Sequence, residues 1–337
     1  MAKISMIGAG SWGTALSVVL HNNGHEVTVW SALEPEIAML KEHHEQVEKL
    51  PGVKLPENMV FTTDMELAVR GQDMLVLAVP SPFTRNTAKT MAPYVSEGQL
   101  VVSVAKGIEE DTLMTLSQII KEEIPQCNVA VLCGPSHAEE VGIGLPTTLV
   151  AGAKKKSTAE LVQNTFMNET LRIYTSPDIL GMEIGASLKN VIALAAGMAD
   201  GMGYGDNAKA ALITRGVAEM GRLALAMGAN FETLSGLTGM GDLIVTCESK
   251  HSRNRKAGML MGQGYTMQEA MDEVKMVVEG VFSAKAAIEL AARYQVSMPI
   301  VEQVNEVLFH DKPAKEAVKD LMLRNKKVEH DDLAWQE

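Results

Sequence analysis

Short apolar runs alternate with helical stretches through the first half of the chain. KISMIG (3–8), EVTVW (26–30), MLVLAVP (74–80), LVVSVA (100–105), NVAVLC (128–133), TTLVAG (147–152) and LRIYTS (171–176) each read as a strand. The runs are close to continuous in aliphatic residues, the pattern of strands buried on both faces of a mostly parallel sheet. Helical spacing between them predicts βαβ units and a doubly wound α/β fold. Near Ser176 the pattern changes. Ser176-Pro177-Asp178 offers a hydroxyl cap, a proline at the first helical position and an acid near the positive helix end. Long Ala/Met/Leu-rich stretches follow, MEIGASLKNVIALAAGMA and then NAKAALITRGVAEMGRLALAMG, the second able to start at a capping Asp206 and end at Gly228. Further helical segments are expected near 266–274, 281–294, 299–309 and 313–323. The pattern predicts an α/β domain over 1–178 and an all-α domain over 179–337, with no solenoid-length repeat and no low-complexity linker. The charged tail after Arg324 is expected to be loose.

Composition narrows the function classes. At 337 residues and 46% hydrophobic, the chain can build two cored domains. A net charge of −12 argues against nucleic acid as a partner, since phosphate-backbone binding needs a broad positive face. No run of about 18 apolar residues is evident, so no membrane span is expected. The start, MAKISMIGAG, turns strand-like at once and lacks the layout of a signal peptide. Cys127, Cys133 and Cys247 have no metal-ligand spacing, so free thiols in a reducing cytoplasm and no metal site are expected. Against this acidic background stands one basic cluster, SKHSRNRK at 249–256. Its mixture of Ser252, Arg253 and Asn254 suits one small phosphate better than a polymer of them.

Gly8-Ala9-Gly10-Ser11-Trp12-Gly13 follows the first strand and opens a helix over 14–21, the context in which G-x-G-x-x-G binds a dinucleotide. Gly8 permits the tight turn, Gly10 lets the backbone approach a pyrophosphate, and Gly13 lets helix and strand pack closely. The helix start supplies free N–H groups for the phosphates. An NAD-selective site usually has an acid at the end of the second strand; here Ser31 and Ala32 stand there. No Arg stands at 31 or 32 to hold a 2′-phosphate; Lys49, in a following loop, is a candidate that nothing in the sequence places there, and the choice between NAD(H) and NADP(H) stays open.

Four polar segments lie in apolar or glycine-rich surroundings. Lys106-Gly107-Ile108-Glu109 follows a strand's carboxyl end, where ligands bind in open α/β sheets; a lysine in an ordinary loop is the plainer alternative. Gly134-Pro135-Ser136-His137 follows another strand, offering a backbone donor and a hydroxyl, with His137 expected to cap a helix rather than act as a base. Lys189 lies in an apolar helix, where burial would lower its pKa toward that of a general acid or base, the alternative being a lysine snorkelling at the domain edge. Asp242 and Thr246, at i and i+4, share a helix face where a carboxylate could orient Lys189 or hold a hydroxyl.

Taken together, GAGSWGTAL, AVPS, KGIE, GPSHAEEV, SLKNVIALAAG, ALITRG, GLTGMGDLIVTC, SRNRKAG and VVEGV resemble the signature segments of bacterial NAD(P)-dependent glycerol-3-phosphate dehydrogenase, in order, across about residues 4 to 300. The resemblance implies a Rossmann-type domain joined to a helical domain, and reversible interconversion of dihydroxyacetone phosphate and sn-glycerol 3-phosphate for glycerophospholipid synthesis. It implies Lys189 as proton donor and acceptor, and Lys106 near both substrate and nicotinamide. Gly134, Ser136, Asp242, Ser252, Arg253 and Asn254 become substrate contacts. Ser11, Trp12, Ala138, Arg253, Val277 and Glu279 become cofactor contacts, and Asn190 and Thr246 border the reaction and phosphate sites. Departures lie at Ala32, where relatives often carry Arg, and at Lys49, where they often carry an aromatic residue. A homodimer through the helical domain is the base-rate expectation. Two rivals remain: a related hydroxyacid or ketopantoate-type reductase, which has no use for the basic SRNR segment, and a non-catalytic nucleotide-sensing module, which would not need Lys106, Lys189 and Asp242 together.

Overall fold

Eight segments form strands: β1 (Lys3–Ile7), β2 (Glu26–Trp30), β3 (Val60–Thr62), β4 (Met74–Leu77), β5 (Leu100–Ser103), β6 (Asn128–Cys133), β7 (Thr147–Ala153) and β8 (Leu171–Ser176). In the computed structural model, which describes residues 1–329, they form one sheet in the order β3-β2-β1-β4-β5-β6-β7-β8. Neighbours are parallel except β6 and β7. Seven of the strands coincide with the apolar runs. β3 is an addition: its three residues are too few to show a period. β4 and β5 are fully buried, as continuous aliphatic runs require.

The chain steps outward from β1 to β2 and β3, then returns to place β4 on the other side of β1. This reversal opens a crevice at the strands' carboxyl ends. Gly8 turns the chain there with φ 125°; a Cβ on it would lie 2.8 Å from the carbonyl carbon of Ala78. A Cβ on Gly13 would lie 2.1 Å from the carbonyl oxygen of Gly8. The helix that follows, Ser11–Asn22, begins at Gly10 with no side-chain cap, so its first N–H groups stay open to a ligand.

The helical half is built around Ile179–Gly201, buried along nearly its whole length. By length and a mean hydropathy of 1.4 this helix could cross a membrane, yet 83% of its apolar window is buried inside the protein. Its hydrophobicity is that of a core, because the helices Asp206–Ala226, Asp242–Glu248, Arg253–Gly262, Glu279–Arg293 and Pro299–Phe309 pack around it. Against Arg253–Gly262 the approach is backbone on backbone. A Cβ on Gly197 would lie 2.1 Å from the Arg255 carbonyl oxygen, and one on Gly258 2.1 Å from that of Leu194. Gly201 and Gly262 meet Met259 and Met198 in the same way, at 2.1 and 2.2 Å. This glycine seam sets Lys189 and Asn190 on one helix against Arg253 and Asn254 on the other.

Two helix starts differ from expectation. Asp178, not Ser176, caps Ile179–Gly201: its Oδ1 accepts from Gly181 N–H at 3.0 Å, while the Ser176 hydroxyl accepts from Asp178 N–H. A carboxylate adds charge to the cap and so wins the position. Gly205 caps the next helix, and Asp206 is its first residue, adding charge to the first turn. Gly228 does end that helix, with φ 94°. The remaining segments form Met267–Val274, Glu279–Arg293, Pro299–Phe309 and Ala314–Met322. Buried Glu219 accepts from the N–H groups of Ile300 and Val301 at 2.9 and 3.3 Å, closing the start of Pro299–Phe309. Residues 325–329 are exposed and irregular, while 330–337 of the expected loose tail lie outside the described residues.

The seam makes a sharp stability prediction. Alanine normally gains about 1 kcal/mol over glycine inside a helix. Gly258→Ala should instead lower stability by about 1–3 kcal/mol, because its methyl must displace a main-chain carbonyl. Gly205→Ala, with no atom within 4 Å of the added carbon, is the control. Equal urea midpoints for the two variants would show that the helices separate without cost.

Candidate active site

A cleft of about 1100 Å³ runs between the strand ends and the helical half. Its lining includes Gly8, Gly10, Ser11, Trp12, Lys106, Ser136, Ala138, Lys189, Asn190, Asp242, Thr246, Ser252, Arg253, Asn254, Val277 and Glu279. Gly13 and Gly134 are not in the lining; they act behind the wall, Gly13 by allowing the helix onto the loop and Gly134 through its carbonyl.

Lys189 sits mid-helix with 5% of its surface exposed, and its Nζ donates to Asp242 Oδ1 at 2.7 Å and Thr246 Oγ1 at 2.6 Å. Thr246 is held in turn by donating to the Asp242 carbonyl at 2.5 Å, as the i, i+4 spacing allows. The other Asp242 oxygen accepts from Lys106 Nζ at 2.6 Å. Lys106 comes from the loop after β5 and also donates to the Gly134 carbonyl at 3.0 Å and the Ser136 hydroxyl at 3.4 Å. Two ammoniums therefore share one carboxylate that is 1% exposed. With all three groups ionised the cluster holds one unbalanced positive charge, in a place where charge is costly without a partner. An ammonium has three protons. Those of Lys106 are all engaged, whereas Lys189 keeps one for an incoming group.

Burial pushes the Lys189 ammonium down to about 8; Asp242 opposes the shift and Lys106 adds to it. Burial alone would raise the Asp242 carboxyl, but the two lysines outweigh it and hold it below the usual carboxylate range. A buried lysine brought close to neutrality is matched to proton transfer.

Across the glycine seam, Asn254 Nδ2 donates to Asn190 Oδ1 at 2.9 Å, and Gly280 N–H donates to Asn254 Oδ1 at 2.8 Å. Asn190 Nδ2 donates to the Ala186 carbonyl at 3.4 Å, so each amide keeps one N–H for a ligand. Ser252 caps Arg253–Gly262, its hydroxyl oxygen accepting from Arg255 N–H at 3.2 Å, so its own proton can still be donated. Arg253 donates to the Val277 carbonyl at 3.1 Å; burial lowers its pKa, opposed by Glu279 and Glu139. A guanidinium with most of its donors unused at a cleft wall suits a phosphate. Within the basic cluster, Arg255 pairs with Asp200 at 2.6 Å and is committed to structure.

The glycine-loop side fits a dinucleotide. The uncapped helix start faces the cleft, Gly8 leaves no room for a Cβ, and Trp12 Nε1 is a buried donor with no partner among the described residues. Glu279 reaches across to Ser81, accepting from its N–H at 3.1 Å and its hydroxyl at 2.5 Å, and burial raises its carboxyl. His137 does occupy the cap position of Ala138–Gly142, but its ring makes no capping bond. The ring instead lies in the cleft wall, 5.9 Å from that of His251, and burial lowers its pKa. Sequence reasoning missed Glu36, Gln46 and Ser81. Glu36 stands one helical turn past the strand end, beyond the positions at which an acid is usually sought. Among the described residues no group of three His, Cys, Asp or Glu side chains could hold a metal, and all three cysteines are free and buried.

The lysine pair generates a direct test. In a lysine 13Cε NMR titration one resonance should move near pH 8, and it should vanish in Lys189→Met. Asp242→Asn should shift that titration to still lower pH, because the attracting carboxylate is gone while Lys106 remains. A shift upward would contradict the electrostatic account.

The family model for the N-terminus of NAD-dependent glycerol-3-phosphate dehydrogenase matches residues 3–159, and the model for its C-terminus matches residues 178–319. The glycerol-3-phosphate dehydrogenase [NAD(P)+] of Agathobacter rectalis is 69% identical over 335 residues, covering 99% of this chain and 100% of that one. Among solved structures, a glycerol-3-phosphate dehydrogenase from Coxiella burnetii superimposes with a TM-score of 0.93 at 33% identity, covering 96% of this chain and 99% of the other. A ketopantoate reductase from Ralstonia eutropha shares the fold alone, with a TM-score of 0.50 at 17% identity over 90% of this chain and 100% of its own. Matched on both halves by one family's models, and nearly end to end by such relatives, the chain belongs to the NAD-dependent glycerol-3-phosphate dehydrogenase family.

Proposed function

We propose that the chain catalyses reversible hydride transfer between NAD(P)H and dihydroxyacetone phosphate, giving sn-glycerol 3-phosphate for glycerophospholipid synthesis. The observation that carries this reading is a buried Lys189 ammonium, with a proton to give, in the same cleft as a dinucleotide loop and a guanidinium with free donors. When bound along Gly8, Gly10, Ser11 and Trp12, with Ala138, Val277 and Glu279 beside it, the nicotinamide cofactor supplies or takes back the hydride. The remaining chemistry belongs to the protein. Arg253, Ser252 and Asn254 grip the phosphate, turning remote binding energy into orientation of the carbonyl carbon. As hydride arrives, negative charge builds on the ketone oxygen; Lys106, Asn190 and the net positive cluster stabilise it, at about 3 kcal/mol per well-placed donor. Lys106 can serve by exchanging its longest bond, the one to Ser136. Lys189 delivers the proton, Asp242 and Thr246 having fixed its direction.

In this reading residues 1–178 hold the dinucleotide and 179–337 supply most of the catalytic and phosphate-binding groups, supported by the last strand ending at Ser176 and the core helix starting at Ile179. Buried free thiols support work in a reducing cytoplasm. A homodimer through the helical half is supported by exposed Leu225, Phe231, Met240 and Ile244 on that half. Sedimentation as a 36.3 kDa species at micromolar concentration would dismiss it.

Kinetics test the roles. Lys189→Ala should lose about 10²–10⁴ in kcat; near-wild-type turnover would remove it from the mechanism. In the reducing direction Lys189 must carry its proton, so kcat should fall as pH rises through about 8, and the oxidising direction should gain over the same range. Arg253→Ala should narrow the preference for dihydroxyacetone phosphate over unphosphorylated dihydroxyacetone by raising KM for the former.

A further inference from the structure

The carboxyl end of β2 is tied to the glycine loop: Gly8 N–H donates to the Trp30 carbonyl at 2.9 Å. The next residue, Ser31, is 5% exposed and has no charge to offer a ribose. Its hydroxyl instead donates to Glu36 Oε2 at 2.5 Å while accepting from Leu33 N–H at 3.1 Å. The other Glu36 oxygen accepts from Gln46 Nε2 at 2.9 Å and Lys49 Nζ at 2.6 Å. Gln46, wholly buried, also donates to the carbonyl of Ala9 inside the glycine loop at 2.8 Å. Ser31, Glu36 and Lys49 all line the cleft, with Ala32 and Leu33 between them. A carboxylate is therefore delivered to the end of β2 from the first turn of the following helix, Glu34–His43, and locked to the phosphate loop through one glutamine.

A carboxylate offers about four lone-pair sites. Three are filled here, by Ser31, Gln46 and Lys49. The fourth matches the hydroxyl of an adenosine ribose, the group an acid at this place receives in dinucleotide folds. A 2′-phosphate would meet the same carboxylate as a like charge. Lys49 is the counterweight. Its side chain is 32% exposed, against 9% for Glu36, so it can turn from Glu36 toward an added phosphate, whereas Glu36 stays anchored by its two neutral donors.

We propose that Glu36 is the residue that determines cofactor specificity, favouring a dinucleotide with a free 2′-hydroxyl, and that Lys49 limits the discrimination so that the 2′-phosphorylated form is weakened rather than excluded. The inference rests on the cleft holding a dinucleotide and adds which one it prefers. It concerns binding, so it can be tested without turnover.

Isothermal titration of ADP-ribose and 2′-phospho-ADP-ribose into the full chain separates the two ideas. Wild type should bind ADP-ribose more tightly, by about tenfold. Glu36→Gln keeps acceptor and size for Ser31; it should narrow that ratio at least fivefold, chiefly by tightening the 2′-phosphate. Lys49→Met leaves Glu36 anchored by Ser31 and Gln46, and should widen the ratio by weakening the 2′-phosphate. A ratio unchanged in Glu36→Gln, or a wild type that prefers the 2′-phosphate, overturns the assignment. Failure of both fragments to bind any form would instead overturn the dinucleotide reading itself.

Discussion

The arrangement of the candidate active site depends on one carboxylate shared by two lysines. Asp242 is buried, and its two oxygens accept from Lys189 and Lys106, residues contributed by the two halves of the chain. Neither lysine would tolerate burial alone, and a lone buried carboxylate would be just as costly. Satisfying all three needs the strand ends and the helical bundle to meet at this point. The same compromise leaves the cluster short of one negative charge. A group that gains negative charge at this point would supply what the cluster lacks, so fold stability and the chemistry open to the cluster draw on one electrostatic imbalance.

The dinucleotide side of the cleft is organised differently. There the protein relies on main-chain geometry: an uncapped helix start, a glycine turn pressed against Ala78, and a tryptophan N–H without a partner among the described residues. Charged side chains also stand along this part of the cleft, Lys49 paired with Glu36 beyond the end of β2 and Glu279 tying Ser81 to the helical half. Open main-chain donors of this kind suit the pyrophosphate common to both cofactors.

Much of this was legible in the sequence because burial on both faces writes long aliphatic runs, and seven of the eight strands were visible as such. β3 was not, because three residues cannot display a period. Helix starts were harder: Ser176 and Asp206 each lay within two residues of the true caps, Asp178 and Gly205, and local propensity does not decide between adjacent candidates. Individual polar residues in apolar settings drew attention to Lys106, Lys189, Asp242 and Arg253. Their convergence did not, since Lys106 and Asp242 stand 136 positions apart, and family resemblance rather than pattern assigned their roles. Glu36 escaped because the acid arrives from a helix turn beyond the strand end. The glycine seam does leave a trace in the sequence, glycines four apart at 197 and 201 and again at 258 and 262, the spacing that lays small residues along one helix face.

That seam has a consequence for how the protein can evolve. At most core positions a side chain can be exchanged for one slightly larger or smaller, and neighbours adjust in small steps. Glycine has no near neighbour in size on this scale; every replacement adds at least a whole carbon against a main-chain carbonyl that cannot move aside alone. Variation along this helix pair is therefore all or nothing. The distance between Lys189 and Arg253 is insulated from gradual drift, while an exposed position such as Lys256 on the second helix remains free to change.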